Sequence, residues 1–437
     1  MCKFGEDYAD LPSKLQIVLT MTKQNKKCFT TIVFMYISMK ILQLSPQFPF
    51  PLSDGGKISI ANMTRALVTS SCEVHVFCLV HTMPNDQQIH SFEQYTGAKC
   101  SCILHNTRNT PIAILTSLFD DQAPLYIRKH RSLELKHAIT LALQKESFDA
   151  ILCDHTAMAE IGLYASELAD VPCIVRMHNI EHVIWERYAD RLSIFDPRKW
   201  FIQSQAKKLR NMEIELCSKA THLAMITESD EDKISSFHSA ISASYIPVGV
   251  DTAVFKPMQM TKSIHGLIHA TTYDWIHNVE ALDWFIAEIL PEIQKRFSTE
   301  LVLLGKHMPE HYRNGMIPGL IGKGYVEDIN VELNKASIYI APLFVGGGIR
   351  IKILEAMSAG LPVIASPVSA EGIMAKREDG LIICSTKEEW ILEIFNLMDN
   401  PIVSKELGVK ARSFIEKNHS WEVTANRMMH LIQELNA

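Results

Sequence analysis

From Met39 onward the chain alternates short apolar runs with amphipathic stretches, and this alternation constrains the fold more than any other feature. It is the pattern of parallel strands covered by helices on both faces. The expected strands of the first half are Lys40 to Leu44, Glu73 to Leu79, Ala150 to Asp154, Cys173 to Met177 and His222 to Ile226. A second series restarts with Gly266 to Ala270, Leu301 to Gly305, Leu320 to Gly324, Ile338 to Pro342, Val363 to Ser366 and Leu381 to Cys384. Two doubly wound α/β sheets follow. A length of 437 residues agrees, because it exceeds what one hydrophobic core organises.

The helices between strands carry their own periodicity. Leu282, Phe285, Ile286, Ile289, Leu290 and Ile293 recur at three- and four-residue spacing, with Asn278 expected as the N-cap. Trp421, Ala425, Met428, Met429, Ile432 and Leu435 do the same, as a last helix closing over one of the domains. The boundary belongs in Ser242 to Pro257, where Tyr245-Ile-Pro-Val-Gly-Val-Asp251 combines proline, glycine and an acidic turn residue. The expected units are residues 39–243, residues 244–415, and a C-terminal helix over 416–437 that packs across the domains. Residues 1–38 read as an upstream extension or disordered tail. Lys26, Lys27 and the apolar run Cys28 to Met39 imitate a signal peptide, but the run falls short of the ~20 residues that span a bilayer.

Charge and cysteines exclude several classes. A net charge of -6 gives no global attraction to nucleic acid. The ten cysteines form no CxxC pair, which argues for reduced thiols in a cytoplasm rather than a disulfide framework or zinc site. No compact Asp/His cluster of the kind that holds a metal is visible in the sequence.

Chemistry concentrates in Ile338 to Gly360, which reads as strand, glycine loop, helix and glycine stop. Gly346, Gly347 and Gly348 let backbone amides approach a ligand, and the following helix N-terminus favours an anion. Lys352 and Glu355, three residues apart, share a helix face with Gly348, whereas Ile349, Ile353 and Leu354 pack inward. A lysine ammonium beside Arg350 neutralises charge on a departing diphosphate. A carboxylate such as Glu355 accepts hydrogen bonds and suits ribose hydroxyls. In isolation the same residues describe a solvated Lys–Glu pair next to an ordinary loop. Their place at the carboxyl edge of an open sheet favours the ligand site.

This stretch resembles the nucleotide-sugar glycosyltransferases of family 4. The resemblance extends through Gly360-Leu-Pro-Val-Ile-Ala-Ser366, Ser369-Ala-Glu-Gly372, Gly324-Tyr-Val-Glu-Asp328, Leu301-Val-Leu-Leu-Gly305 and Ile246-Pro-Val-Gly-Val-Asp251, and so covers nearly all of residues 244–390. More loosely it includes Asp54-Gly-Gly56 and Arg176-Met-His-Asn-Ile-Glu181. It implies the GT-B fold, two Rossmann-like domains facing across a cleft, and transfer of a sugar from a nucleotide-diphosphate donor to a glycan or lipid-linked acceptor. Retention of configuration and action without metal are implied as well. His178, Arg350 and Lys352 become the expected catalytic residues. Gly55, Gly56, Gly324, Tyr325, Val326, Gly346, Gly347, Gly348 and Glu355 become donor contacts, and Asn179 and Glu181 acceptor-side residues. For His178 the role is to position the sugar or the acceptor hydroxyl; capping a helix is the plain alternative.

Two departures matter. Where many members carry a first glutamate, this chain has Gly347, and the loop Thr271-Thr-Tyr-Asp-Trp-Ile-His-Asn278 lacks the usual diphosphate-binding cations. Arg350 and Lys352 are expected to take over that work. The missing glutamate also motivates a second reading, a nucleotide-sugar-binding protein without turnover. A sugar-nucleotide epimerase on the same architecture is a third. An oxidoreductase is disfavoured because no GxGxxG follows the first strand. The basic, aromatic stretch from Arg187 to Arg210 reads either as a solvated helix face or as a peripheral contact at the inner face of the membrane.

Overall fold

The computed structural model describes residues 15–24, 27–36, 38–110, 114–117, 123–259, 266–346 and 348–437. Leu15–Gln24 (β1) and Lys27–Tyr36 (β2) form an antiparallel pair that joins neither main sheet. The remainder of the N-terminal segment, residues 1–14, 25–26 and 37, lies outside the described residues.

The first large sheet has seven strands: Lys40–Ser45 (β3), Glu73–Val80 (β4), Lys99–Leu104 (β5), Ala150–Asp154 (β6), Cys173–Met177 (β7), His222–Met225 (β8) and Ala243–Tyr245 (β9). All pair in parallel in the order β5-β4-β3-β6-β7-β8-β9. The second has six, Leu267–Ala270 (β10), Leu301–Leu304 (β11), Leu320–Gly324 (β12), Ile338–Ala341 (β13), Val363–Ala365 (β14) and Leu381–Ile383 (β15). These are also parallel, in the order β12-β11-β10-β13-β14-β15. Each sheet reverses its winding once, between β3 and β6 and between β10 and β13, and the crevice at such a point is where open α/β sheets bind ligands. β5 and β9 carried no sequence expectation. β5 is a half-buried edge strand whose cysteines and serine break the apolar run, and β9 is three half-buried residues.

The helices that build the site are Gly55–Thr69 (α1), Glu181–Arg191 (α2), Pro197–Lys219 (α3), Ile276–Trp284 (α4), Ile351–Ser358 (α5), Pro401–Asn418 (α6) and Trp421–Leu435 (α7). α4 begins earlier than expected. Trp275 is its N-cap residue, and Asn278 instead donates from Nδ2 to the Thr272 carbonyl at 2.8 Å, folding the preceding loop onto the helix.

Two chain crossings join the domains side by side. Val250 N donates to His419 O at 2.6 Å, and Thr424 Oγ1 donates to Pro247 O at 3.0 Å. Gly249 is required there, because a Cβ would lie 2.5 Å from the Trp421 ring. α7 then packs along α1, and Asn436 Nδ2 reaches the Asp149 carbonyl at 3.1 Å. The C-terminal helix therefore closes on the N-terminal domain. No helix among the described residues is long and apolar enough to cross a membrane.

Candidate functional site

The N-terminal wall of the cleft rests on a buried polar network. Gln43 on β3, Asp154 on β6 and Arg176 on β7 are all fully buried, at the centre of the sheet. Gln43 Nε2 donates to Asp154 Oδ2 at 2.6 Å, and Arg176 Nη1 donates to Asp154 Oδ1 at 2.9 Å. Thr64 Oγ1 donates to Gln43 Oε1 at 2.8 Å, while Arg176 Nη2 donates to Ser59 Oγ at 2.6 Å, so α1 is pinned to the strands. Burial alone would raise the Asp154 pKa, but His178, Arg176 and Gln43 outweigh it and hold the carboxyl down to about 2. Asp54 caps α1 by accepting from Lys57 N at 3.0 Å, which places Gly55 and Gly56 at the helix start, in the first cleft loop.

His178 follows β7 and is buried beneath the cleft floor, stacked on His155 with ring centroids 4.0 Å apart. Its Nε2 has no hydrogen-bond partner; the nearest carboxylate oxygen, Asp154 Oδ1, is 3.7 Å away, too far for a hydrogen bond. Burial and then Arg176 push its pKa down, against Asp154. Burial, with His178 beside it, pushes His155 well below the ordinary range. Both imidazoles are therefore neutral near pH 7. His155 also has φ 67, a left-handed conformation that a non-glycine residue keeps only where its surroundings impose it.

α2 lacks a side-chain cap of its own, and Glu213 from α3 supplies one. Its carboxylate accepts from Glu181 N at 3.0 Å and His182 N at 3.1 Å, and lies 2.6 Å from His182 Nδ1. The consequence falls on Glu181. Burial and then the Glu213 charge push its pKa up to about 7, against a Tyr126 hydrogen bond and the Lys129 charge. Asn179 lies at the domain junction, where a Cβ on Gly348 would stand 3.2 Å from its Oδ1.

On the opposite wall, β13 leads through the glycine loop into α5. Gly348 has φ 75, so the loop needs glycine there. Gly347 lies outside the described residues. Gly346 serves a different purpose: a Cβ would overlap Arg350 Nη2, so its absence lets the guanidinium lie against the loop. Arg350 is the N-cap residue of α5 and faces the Trp275 ring, Cζ 5.8 Å from the centroid. Its buried Nε and Nη2 have no hydrogen-bond partner, and burial lowers its pKa against the Glu371 charge. Such a group at a helix N-terminus is suited to an anion.

Lys352 Nζ and Glu355 Oε2 are 2.8 Å apart, with Lys352 half-exposed and Glu355 buried. Burial raises the Glu355 pKa, opposed by Lys352. Ile353 and Leu354 pack inward and Ile349 is partly buried. Gly324 ends β12 with φ 72, Val326 packs partly into the core, and Tyr325 is exposed with its ring 5.4 Å from Lys306 Nζ. The domains meet across this site: Ile351 Cδ1 lies 4.0 Å from where a Cβ on Gly55 would be.

Sequence reasoning left Asp154, His155, Glu213, Trp275 and Lys306 unread. Asp154 and His155 carried a usable signal, since they end a strand as His178 does. Trp275 and Lys306 follow strands as well, but nothing local marks a ring that packs on Arg350. Glu213 had no signal, because only the packing of α3 on α2 buries it.

Residues 266–400 match the family described as Glycosyl transferases group 1. Along most of the chain, a Klebsiella pneumoniae protein described as an uncharacterized 44.6 kDa protein in the cps region is 23% identical over 397 residues, covering 87% of this chain and 96% of its own length. The Escherichia coli UDP-Gal:alpha-D-GlcNAc-diphosphoundecaprenol alpha-1,3-galactosyltransferase is 25% identical over 289 residues, covering 57% and 66%. In fold, the Anabaena protein Alr3699/HepE in complex with UDP superposes with a TM-score of 0.62 at 12% identity, over 91% of this chain and all of that one. At that identity the likeness shows the architecture alone, two Rossmann-like domains of GT-B type.

Proposed function

Because the chain is a glycosyltransferase of the group 1 type, we propose that its cleft binds a nucleotide-diphosphate sugar against the Gly346–Gly360 segment and transfers the sugar to a glycan or lipid-linked acceptor. The observation that carries this reading is the buried Arg350 guanidinium, with two unpartnered nitrogens at the start of α5 and across from the Gly55 loop. A diphosphate satisfies those donors, and its charge is drawn further by the helix N-terminus.

The Lys352–Glu355 pair divides on binding. Glu355, fixed and buried, accepts from the ribose hydroxyls, while half-exposed Lys352 turns to the phosphates. As the glycosidic bond breaks, negative charge accumulates on the departing diphosphate, and Arg350 and Lys352 stabilise it without a metal. On the other wall, neutral His178 holds a sugar or acceptor hydroxyl, and Asn179 and Glu181 contact the acceptor. The reading includes retention of configuration. It also includes a place in cell-surface polysaccharide synthesis, which the cps-region relative and the diphosphoundecaprenol-linked acceptor named for the galactosyltransferase support. It places the enzyme in the cytoplasm, at the inner face of the membrane that presents such acceptors.

A thermal-shift screen of UDP-, GDP- and ADP-sugars, followed by release of nucleoside diphosphate with and without acceptors, tests the proposal. One nucleotide-sugar class is expected to raise the melting temperature in the wild type and to do so far less in Glu355→Gln. No shift with any class would overturn it.

A further inference from the structure

Gly346, Gly347 and Gly348 bring no side chain to the cleft, but a carboxylate reaches their vicinity from another turn. β14 runs into the short helix Pro367–Ala370, whose C-cap residue is Glu371. Two buried serines tie this segment to the chain that enters the glycine loop. Leu343 N donates to Ser369 Oγ at 3.1 Å, and Ser366 Oγ donates to the Leu343 carbonyl. Ile373 N donates to the Ala370 carbonyl at 3.0 Å, which closes the turn around Glu371. Gly372, with φ 80, lets that turn pack closely, because a Cβ there would lie 2.8 Å from Thr227 Cγ2 and 3.8 Å from Ile349 Cβ. Glu371 is therefore held between the glycine loop and the N-terminal domain.

The side chain borders the small cavity at the domain junction, together with Asn179, Thr227 and Gly348. It is half-buried, and its carboxylate makes no hydrogen bond or ion pair among the described residues. Arg187 and Asp230 also line this cavity, and neither pairs with Glu371; Asp230 instead faces Lys233 of its own helix at 3.8 Å. The Glu371 charge acts on Arg350, although no ion pair joins the two. A rigid turn thus presents a free acceptor beside a guanidinium whose Nε and Nη2 are unpartnered.

A carboxylate can only accept hydrogen bonds, and its two oxygens match a pair of neighbouring hydroxyls. With a diphosphate on Arg350 and a ribose on Glu355, the transferred sugar hangs from the far phosphate, toward the wall that carries Asn179. Glu371 is the unpartnered acceptor on that side. We propose that Glu371 is a specificity residue for the donor sugar, accepting from two adjacent hydroxyls of a neutral sugar and repelling a sugar that itself carries a carboxylate. It supplies from a neighbouring turn the acidic group that Gly347 cannot. The inference deepens the nucleotide-sugar reading and rests on it.

The test compares free nucleoside diphosphates with their sugar conjugates by calorimetry: UDP, GDP and ADP against UDP-glucose, UDP-galactose, GDP-mannose and ADP-glucose. The conjugate that wild type binds should bind roughly 10-fold more weakly to Glu371→Gln, and up to ~100-fold more weakly to Glu371→Ala. The matching nucleoside diphosphate should bind both variants as tightly as wild type or more so, because the carboxylate no longer competes for Arg350. A residue that acted only through Arg350 would move both ligands together. Residue 371 has φ -54 and ψ 128, which any side chain tolerates, so the variants should keep the wild-type melting temperature, and Glu371→Gln decides if Glu371→Ala misfolds. Equal conjugate affinity in wild type and Glu371→Gln overturns the proposal, as does a parallel loss for the free diphosphate. If wild type binds none of the conjugates, the nucleotide-sugar reading falls and this inference with it. If wild type binds one and the variants bind it alike, only the role of Glu371 falls.

Discussion

Replacing Arg350 by methionine separates function from stability by opposite signs. Methionine keeps the apolar stem and removes a guanidinium whose buried Nε and Nη2 are unpartnered. An unsatisfied buried donor costs about 1–3 kcal/mol. Against this, the contact with Trp275, Cζ 5.8 Å from the ring centroid, contributes about 0.5–1 kcal/mol, and the Glu371 attraction offsets a little more. The ligand-free variant should therefore be more stable than wild type by about 1 kcal/mol, read by urea denaturation at constant m-value. Turnover should move the other way. Removing a preorganised donor to developing charge costs about 3–4 kcal/mol of transition-state stabilisation, or roughly a 10²–10³-fold loss in kcat. A variant both less stable and fully active would refute the reasoning, because it would make Arg350 a structural residue.

Gly346→Ala tests the same placement from the other side: the backbone there has no left-handed φ, but the new methyl meets the flexible end of Arg350. Stability should change by less than ~1 kcal/mol while turnover falls ~10-fold or more, and unchanged kinetics would show that the guanidinium need not lie against the loop. Glu181 gives a pH test. Its folded pKa of about 7 exceeds the ordinary 4.5, so its contribution to stability is fully present below the unfolded value and is lost as pH rises through 7. Between pH 4 and pH 9 wild type should lose up to ~3 kcal/mol relative to Glu181→Gln, and parallel stability curves for the two proteins would contradict the raised pKa.

The sequence determined what depends on local order along the chain. Alternating apolar runs specify parallel strands because a strand buried on both faces has no polar side to show, as β6 and β7 illustrate with every residue buried. The strand, glycine loop and helix around Gly348 and Lys352 were legible for the same reason: loop conformation and helix start are properties of neighbouring residues. β5 and β9 were not, since half-buried edge strands lose the apolar signature. The N-cap assignment of Asn278 failed because a tertiary loop took its side chain.

Only the tertiary structure decided how charge is distributed in the site. Asp154, Arg176 and Gln43 come from three strands distant in sequence, and their mutual contact keeps one carboxyl ionised while Glu181, facing Glu213 from another helix, is held largely protonated below pH 7. Arg350 became the focus of the cleft because Trp275 and Gly346 shape its pocket. Desolvation and pairwise electrostatics depend on distances between residues that the chain's order leaves open, and folding alone sets those distances.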